Sequence, residues 1–253
     1  CFVFAARRRA ADADVVVVNH HLLASDLAVR QAQRNWDDAA VLPPYRRLVL
    51  DEGHHLEDTA AEHLGKQATS RGVERLLSRL ERQNRGVVPA LRAALASEAE
   101  ERLREDALLV LREQLAPALA EARRAGEQIF RLLEAHLAGQ PENVVRLTDA
   151  FAGAEVWGAG LDDALTNLSF TFGRLRDAIA SLVERVSRDD APADRVGQLL
   201  AELRGIAGRL DAARDAVATA LNPPAGSPPL VRWLERRGGA HVAVAAMPLE
   251  LAP

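Results

Sequence analysis

Apolar positions follow three different patterns along the chain. In the first sixty-odd residues they form short unbroken runs: Val15 to Val18, closed by Asn19, and, within Arg47 to Leu50, the three residues after Arg47, closed by Asp51. Runs without alternation suit strands buried on both faces. Each is followed by helix-like sequence, so two strand-then-helix units are expected, the mark of a parallel α/β core. Leu42-Pro43-Pro44-Tyr45 between them is a loop by its prolines. From about 68 to 221 the period changes. Leu161, Leu165, Leu168, Phe172, Leu175, Ile179, Leu182 and Val186 recur at alternating steps of four and three, and Val196, Leu199, Leu203, Ile206, Leu210, Ala213, Val217 and Ala220 do the same. Two long amphipathic helices with heptad-like seams are predicted, folded back on each other by the short link Ser187 to Asp194. Phe172 lies in the seam, and Arg174 and Arg204 lie off it. Upstream, Leu108, Leu111, Leu115 and Leu119 run on toward Ile129, Leu133 and Leu137, with Pro117 expected to kink or break the helix. After the proline-rich stretch Asn222 to Pro229, Leu230 to Glu235 and His241 to Ala246 read as two strands joined by Arg236-Arg237-Gly238-Gly239.

The expected architecture is therefore an α/β domain interrupted by a large all-α insertion of long antiparallel helices. Its divisions are 1–65 for the first α/β part, 66–228 for the insertion, and 229–253 for a β-hairpin that returns to the first domain. Composition agrees with helices packed on helices: 48% of residues are hydrophobic but only 4% aromatic, so Leu, Val and Ala must fill the core. The net charge of −4 gives no global attraction to nucleic acid, and one cysteine cannot form a disulfide within the chain. No apolar run is long enough to span a membrane and no leader sequence is evident, which points to a cytoplasmic setting. The chain starts at Cys1 and stops just after a strand-like run, so it is expected to be an excised piece of a longer protein.

The chemistry concentrates at Asp51-Glu52-Gly53-His54. A buried strand that ends in two carboxylates would place them at the carboxyl edge of a parallel sheet, where α/β folds bind ligands. In a nucleotide hydrolase one carboxylate holds Mg²⁺ and the other positions or deprotonates the attacking water. The competing reading is that Asp51 caps the next helix.

This segment resembles the DEAH-type box of superfamily 2 helicases. With Ala13-Asp14-Val15-Val16-Val17-Val18-Asn19-His20-His21-Leu22-Leu23 upstream and Leu48-Val49-Leu50-Asp51-Glu52-Gly53-His54-His55-Leu56 downstream, residues 1 to about 65 are similar to the iron-sulfur DNA helicases of the XPD/DinG group, the bacterial DinG type above all. The resemblance implies a RecA-like P-loop motor domain with an Arch-like helical insertion. It implies ATP-driven translocation on, and unwinding of, single-stranded and forked DNA, 5′-to-3′, in repair or replication. By the same resemblance Asp51 would hold the Mg²⁺ of Mg-ATP, Glu52 would activate water, and His54 would couple the nucleotide site to DNA. Gly53 stands where the commonest box has Ala, and both are small. Cys1 precedes an Ala-Arg-Arg segment at the place of the last of four ligands to a [4Fe-4S] cluster, a set one cysteine cannot supply. Asn19 and His20 match a segment near the DNA side, and Asn19 reads equally as a helix cap. Arg7, Arg8 and Arg9 are either a solvated helix face or phosphate contacts.

His20, His21, His54, His55 and His63 lack zinc-site spacing. No G-x-x-x-x-G-K-[ST] occurs: the only lysine, Lys66, follows Gly65 but precedes Gln67, and Ala60 stands where the first glycine is required. The chain alone is thus expected to be catalytically silent. The alternative function is a non-enzymatic helical scaffold whose coiled-coil-like hairpin binds a partner protein.

Overall fold

A computed structural model of the chain describes residues 2–33, 37–55, 65–98, 100–187, 194–239 and 241–249. The chain divides into two compact units, one of residues 1–66 with 228–230 and 247–253, the other of residues 67–227 and 231–246.

In the first unit, α1 (Phe2–Ala11) and α2 (His20–Gln33) are followed by a single 3₁₀ turn at Gly53–His55. The expected strands at 15–18 and 47–50 are not formed. Both segments carry no strand, and Val15, Val17 and Val49 are 79%, 92% and 93% exposed. A strand exists only where a neighbour takes up its backbone N–H and C=O groups, and no described residue pairs with either segment. Apolar content marked these runs as suited to a sheet interior but could not supply the flanking strands.

The second unit is a helical bundle with a small sheet. Its helices are α3 (Ser70–Leu80), α4 (Val87–Glu98), α5 (Glu101–Val110), α6 (Ala116–Ala138), α7 (Asp162–Val186) and α8 (Asp194–Leu221). The seam expected from the four-and-three spacing is present. Leu161, Leu165, Leu168, Phe172, Leu175, Ile179, Leu182 and Val186 are all buried, and so are the α8 positions except Leu199, which is partly buried. Arg176 on α7 reaches Asp211 on α8 at 3.5 Å. Arg79 Nε donates to Glu202 Oε1 at 2.6 Å and ties α3 to α8.

Pro117 does not break its helix. A π turn at Leu111–Leu115 joins α5 to α6, and the proline follows within the first two positions of α6. Proline lacks an N–H and its ring crowds the carbonyl four residues back, here Glu113, which lies inside the wider π turn. The stripe of Leu111, Leu115, Leu119, Ile129, Leu133 and Leu137 therefore stays buried on one continuous helical path.

Between α3 and α4 the chain reverses through Gln83 and Asn84, both with positive φ, and then Gly86 at φ 121°. A Cβ at Gly86 would come 2.6 Å from the Arg79 carbonyl oxygen and 2.7 Å from that of Leu80, so only glycine fits.

Strands β3 (Leu230–Arg237) and β4 (His241–Pro248) form the expected hairpin, with Gly238 and Gly239 at positive φ in the turn. Two short strands inside the helical zone were not foreseen: β1 (Lys66–Thr69) and β2 (Val144–Arg146). They flank the hairpin in the order β1-β4-β3-β2, with β2 antiparallel to β3. The hairpin, assigned from the sequence to the first domain, thus has its strand partners within the helical zone, and Leu234, Val242, Val244 and Ala246 join the helical core. Strands of three and four residues carry too little alternation to stand out in a sequence.

Candidate nucleotide site and its supporting loop

Asp51, Glu52 and His54 are brought together in one exposed turn. Glu52 has φ 48°, a left-handed conformation that costs a non-glycine residue energy and concentrates at functional sites. The Glu52 N–H donates to Asp51 Oδ1 at 3.0 Å, and Glu52 Oε2 lies 3.2 Å from His54 Nδ1, with both side chains 67% exposed. A Cβ added at Gly53 would meet nothing within 4 Å, so the turn accepts the alanine of the commoner box. Among the described residues, the element that follows Asp51 is the 3₁₀ turn Gly53–His55.

The turn can meet a metal–phosphate group from solvent. Mg²⁺ takes one or two carboxylates and completes its shell with water and phosphate oxygens, so it needs no all-protein cage. The exposed Asp51 carboxylate fits that mode, and the described residues contain no cluster of three or more His, Cys, Asp or Glu ligands. A [4Fe-4S] cluster does not fit the chain on its own: it requires four ligands, and the chain has one cysteine, Cys1, which lies outside the described residues.

The remaining site residues are dispersed. Asn19 Oδ1 accepts the Leu22 N–H at 2.8 Å, and the Asn19 carbonyl accepts from Leu23. Asn19 is thus the N-cap of α2, and His20 opens its first turn. Arg7, Arg8 and Arg9 lie exposed on α1.

One group escaped the sequence reading. Asp26 and Arg30 on α2 form an ion pair at 2.7 Å, with side chains 0% and 2% exposed. Asp26 Oδ1 accepts the N–H groups of Val41 and Leu42 at 2.9 and 2.7 Å. Arg30 Nη1 donates to the Asp38 carbonyl at 2.7 Å, and Nη2 to those of Leu42 and Pro43 at 3.2 and 3.4 Å. The guanidinium also lies 5.2 Å from the centre of the Tyr45 ring. Burial, followed by the neighbouring Asp26 charge, raises the Tyr45 phenol above its ordinary pKa, against a smaller opposing effect of Arg30. An acid and an arginine four apart on a helix are ordinarily a surface pair of small effect, so nothing in the spacing announced a buried clamp.

No family model matches the chain. Over 71 residues, 28% of its length, it is 41% identical to the ATP-dependent DNA helicase YoaA of Escherichia coli (strain K12), covering 10% of that protein. The chain is similar to DinG-type helicases. It is 43% identical over 70 residues to the ATP-dependent helicase DinG of Mycobacterium tuberculosis (strain ATCC 25618 / H37Rv), 28% of this chain and 9% of that one. It is also 36% identical over 75 residues to the 3'-5' exonuclease DinG of Bacillus subtilis (strain 168), 30% of this chain and 7% of that one. The DinG-like match thus spans about a tenth or less of each of these relatives. Among the described residues no helix is long and apolar enough to cross a membrane.

Proposed function

We propose that the chain is a central piece of an ATP-dependent DNA helicase of the DinG type, one that couples ATP hydrolysis to movement along single-stranded and forked DNA. The observation that carries this reading is the 41% identity over 71 residues to a protein named as an ATP-dependent DNA helicase. The turn that gathers Asp51, Glu52 and His54 supports it, since adjacent carboxylates open to solvent are what hydrolysis of a metal-bound nucleotide requires.

In this reading residues 1–65 belong to a RecA-like motor domain in a cytoplasmic protein, and 66–228, together with the hairpin strands that share their core, are an Arch-like insertion. Movement is 5′-to-3′, in the service of DNA repair or replication. Asp51 holds Mg²⁺, which supplies charge neutralisation at the phosphates. Glu52 orients the attacking water and accepts its proton, and His54, already within reach of the Glu52 carboxylate, links that group to the DNA side. Cys1 is one of four ligands to a [4Fe-4S] cluster whose other three come from the longer protein, and no step is assigned through it. Arg7, Arg8 and Arg9 contact phosphates, while Asn19 acts through the start of α2.

The test is Glu52→Gln in the longer protein that carries this chain, assayed for ATP binding and DNA-stimulated hydrolysis. Binding should persist while turnover falls by about 10²-fold or more, the ordinary contribution of a general base. Near-normal turnover would remove Glu52 from the reaction.

A further inference from the structure

Among the described residues of the first unit, the buried apolar side chains are Leu23, Ala24 and Leu42, and the buried polar ones are Asp26 and Arg30. Within that set the clamp supplies the directional contacts. Apolar contacts tolerate sliding, whereas charge-assisted hydrogen bonds fix which atoms meet. Here they select five backbone groups between residues 38 and 43: the Asp38 carbonyl, the Val41 N–H, both groups of Leu42, and the Pro43 carbonyl. Burying an ion pair is a poor route to stability, since apolar residues of similar volume often do as well; a fixed register is what it can add. The clamped loop ends at Tyr45, beneath Arg30, and Arg46 to Leu50 then runs without helix or strand straight into Asp51 and Glu52.

We infer that the Asp26–Arg30 pair is a positioning device for the Asp51–Glu52 turn: it fixes the register of loop 38–45 on α2, and so the point from which the 46–50 segment presents the two carboxylates. This rests on the nucleotide-hydrolase function proposed for the turn. Arginine suits the role because its planar fork donates in several fixed directions at once, to a carboxylate and three carbonyls here, which a lysine ammonium cannot reproduce.

The experiment uses the longer protein, with Arg30→Lys and, as a control for stability, Leu23→Ala, which empties a buried site on the same helix without touching the loop hydrogen bonds. Thermal melts, kcat and KM for ATP, and the Mg²⁺ concentration at half-maximal hydrolysis are measured for each. Misplacement of reacting groups by an ångström costs on the order of 10²-fold. Arg30→Lys should therefore lower kcat by about 10- to 100-fold and raise the Mg²⁺ requirement, with KM for ATP little changed. Leu23→Ala should melt earlier yet keep kcat and the Mg²⁺ requirement. Asp26→Asn, which keeps an oxygen toward Val41 and Leu42 but replaces the charged acceptor of Arg30 Nε by an amide donor, serves where Arg30→Lys fails to fold and should shift both readouts in the same direction. Equal losses of kcat in Arg30→Lys and Leu23→Ala at matched melting, or an unchanged Mg²⁺ requirement, would reduce the pair to a structural role. A wild-type protein without ATP hydrolysis would instead overturn the proposed function, and the inference with it.

Discussion

Arg174 Nη1 donates to Glu121 Oε2 at 2.6 Å, joining the outer faces of α7 and α6. Two positions earlier on α7, Phe172 points the other way and is 2% exposed. The pair separates what the periodicity predicts from what it does not. Phe172→Asp removes a buried aromatic and buries an unpartnered carboxylate, a loss of about 3–5 kcal/mol or more that should unfold the bundle at ordinary temperature. Arg174→Asp, which the sequence marks only as lying off the seam, exchanges an exposed ion pair for two like charges and should cost on the order of 1 kcal/mol or less, shrinking with salt. Circular dichroism melts at low and high salt decide the matter. Equal losses at the two positions would contradict the seam.

The single tyrosine gives the clamp an optical reporter. Burial and the Asp26 charge both favour the neutral phenol of Tyr45, so its folded pKa lies above the value of 10.0 expected of an exposed tyrosine. With the folded value above the unfolded one, the contribution to stability is complete below about pH 10 and is lost as the pH climbs through the folded pKa. Absorbance near 295 nm, followed during alkaline titration, should show one phenol with a late midpoint. Asp26→Asn should bring it earlier, since a charge that opposes the phenolate is gone. A midpoint at the ordinary tyrosine value in the wild-type chain would mean that Tyr45 does not stand where the clamp puts it.

The range of each interaction decides whether a sequence can reveal it. The α7–α8 seam is visible because each helix carries its own period, and the hairpin because Gly238-Gly239 announces a turn. Val15 to Val18 and Arg47 to Leu50 show the opposite case. Their apolar runs suit a sheet interior, but a strand is a property of two segments, and pairing lies outside any local pattern. At the site, the Asp51-Glu52-Gly53-His54 string was legible as a candidate, while the left-handed Glu52 was not, because glutamate gives no signal for positive φ. Asp26 and Arg30 were invisible as a site for a different reason: their partners are mainly backbone groups 8 to 16 residues away, and every residue type offers those.

The strained turn separates stability from turnover at one position. Glu52 holds φ 48°, where an ordinary L-residue loses about 1–2 kcal/mol and glycine loses almost nothing sterically. Glu52→Gly relieves that strain but adds unfolded-state entropy of roughly 0.5–1 kcal/mol and removes the contact with His54, itself exposed and of small effect. The variant should melt at or slightly above the wild-type temperature. Glu52→Gln keeps the strained backbone and should melt at or slightly below it. Both should lose DNA-stimulated ATP hydrolysis in the longer protein by about 10²-fold or more, since neither leaves a carboxylate to take the proton. Paired melts and steady-state hydrolysis measure the two effects separately. If Glu52→Gly melts several degrees below Glu52→Gln, the left-handed backbone is not a source of strain, and the turn owes its shape to side-chain contacts of Glu52 rather than to the demands of the site.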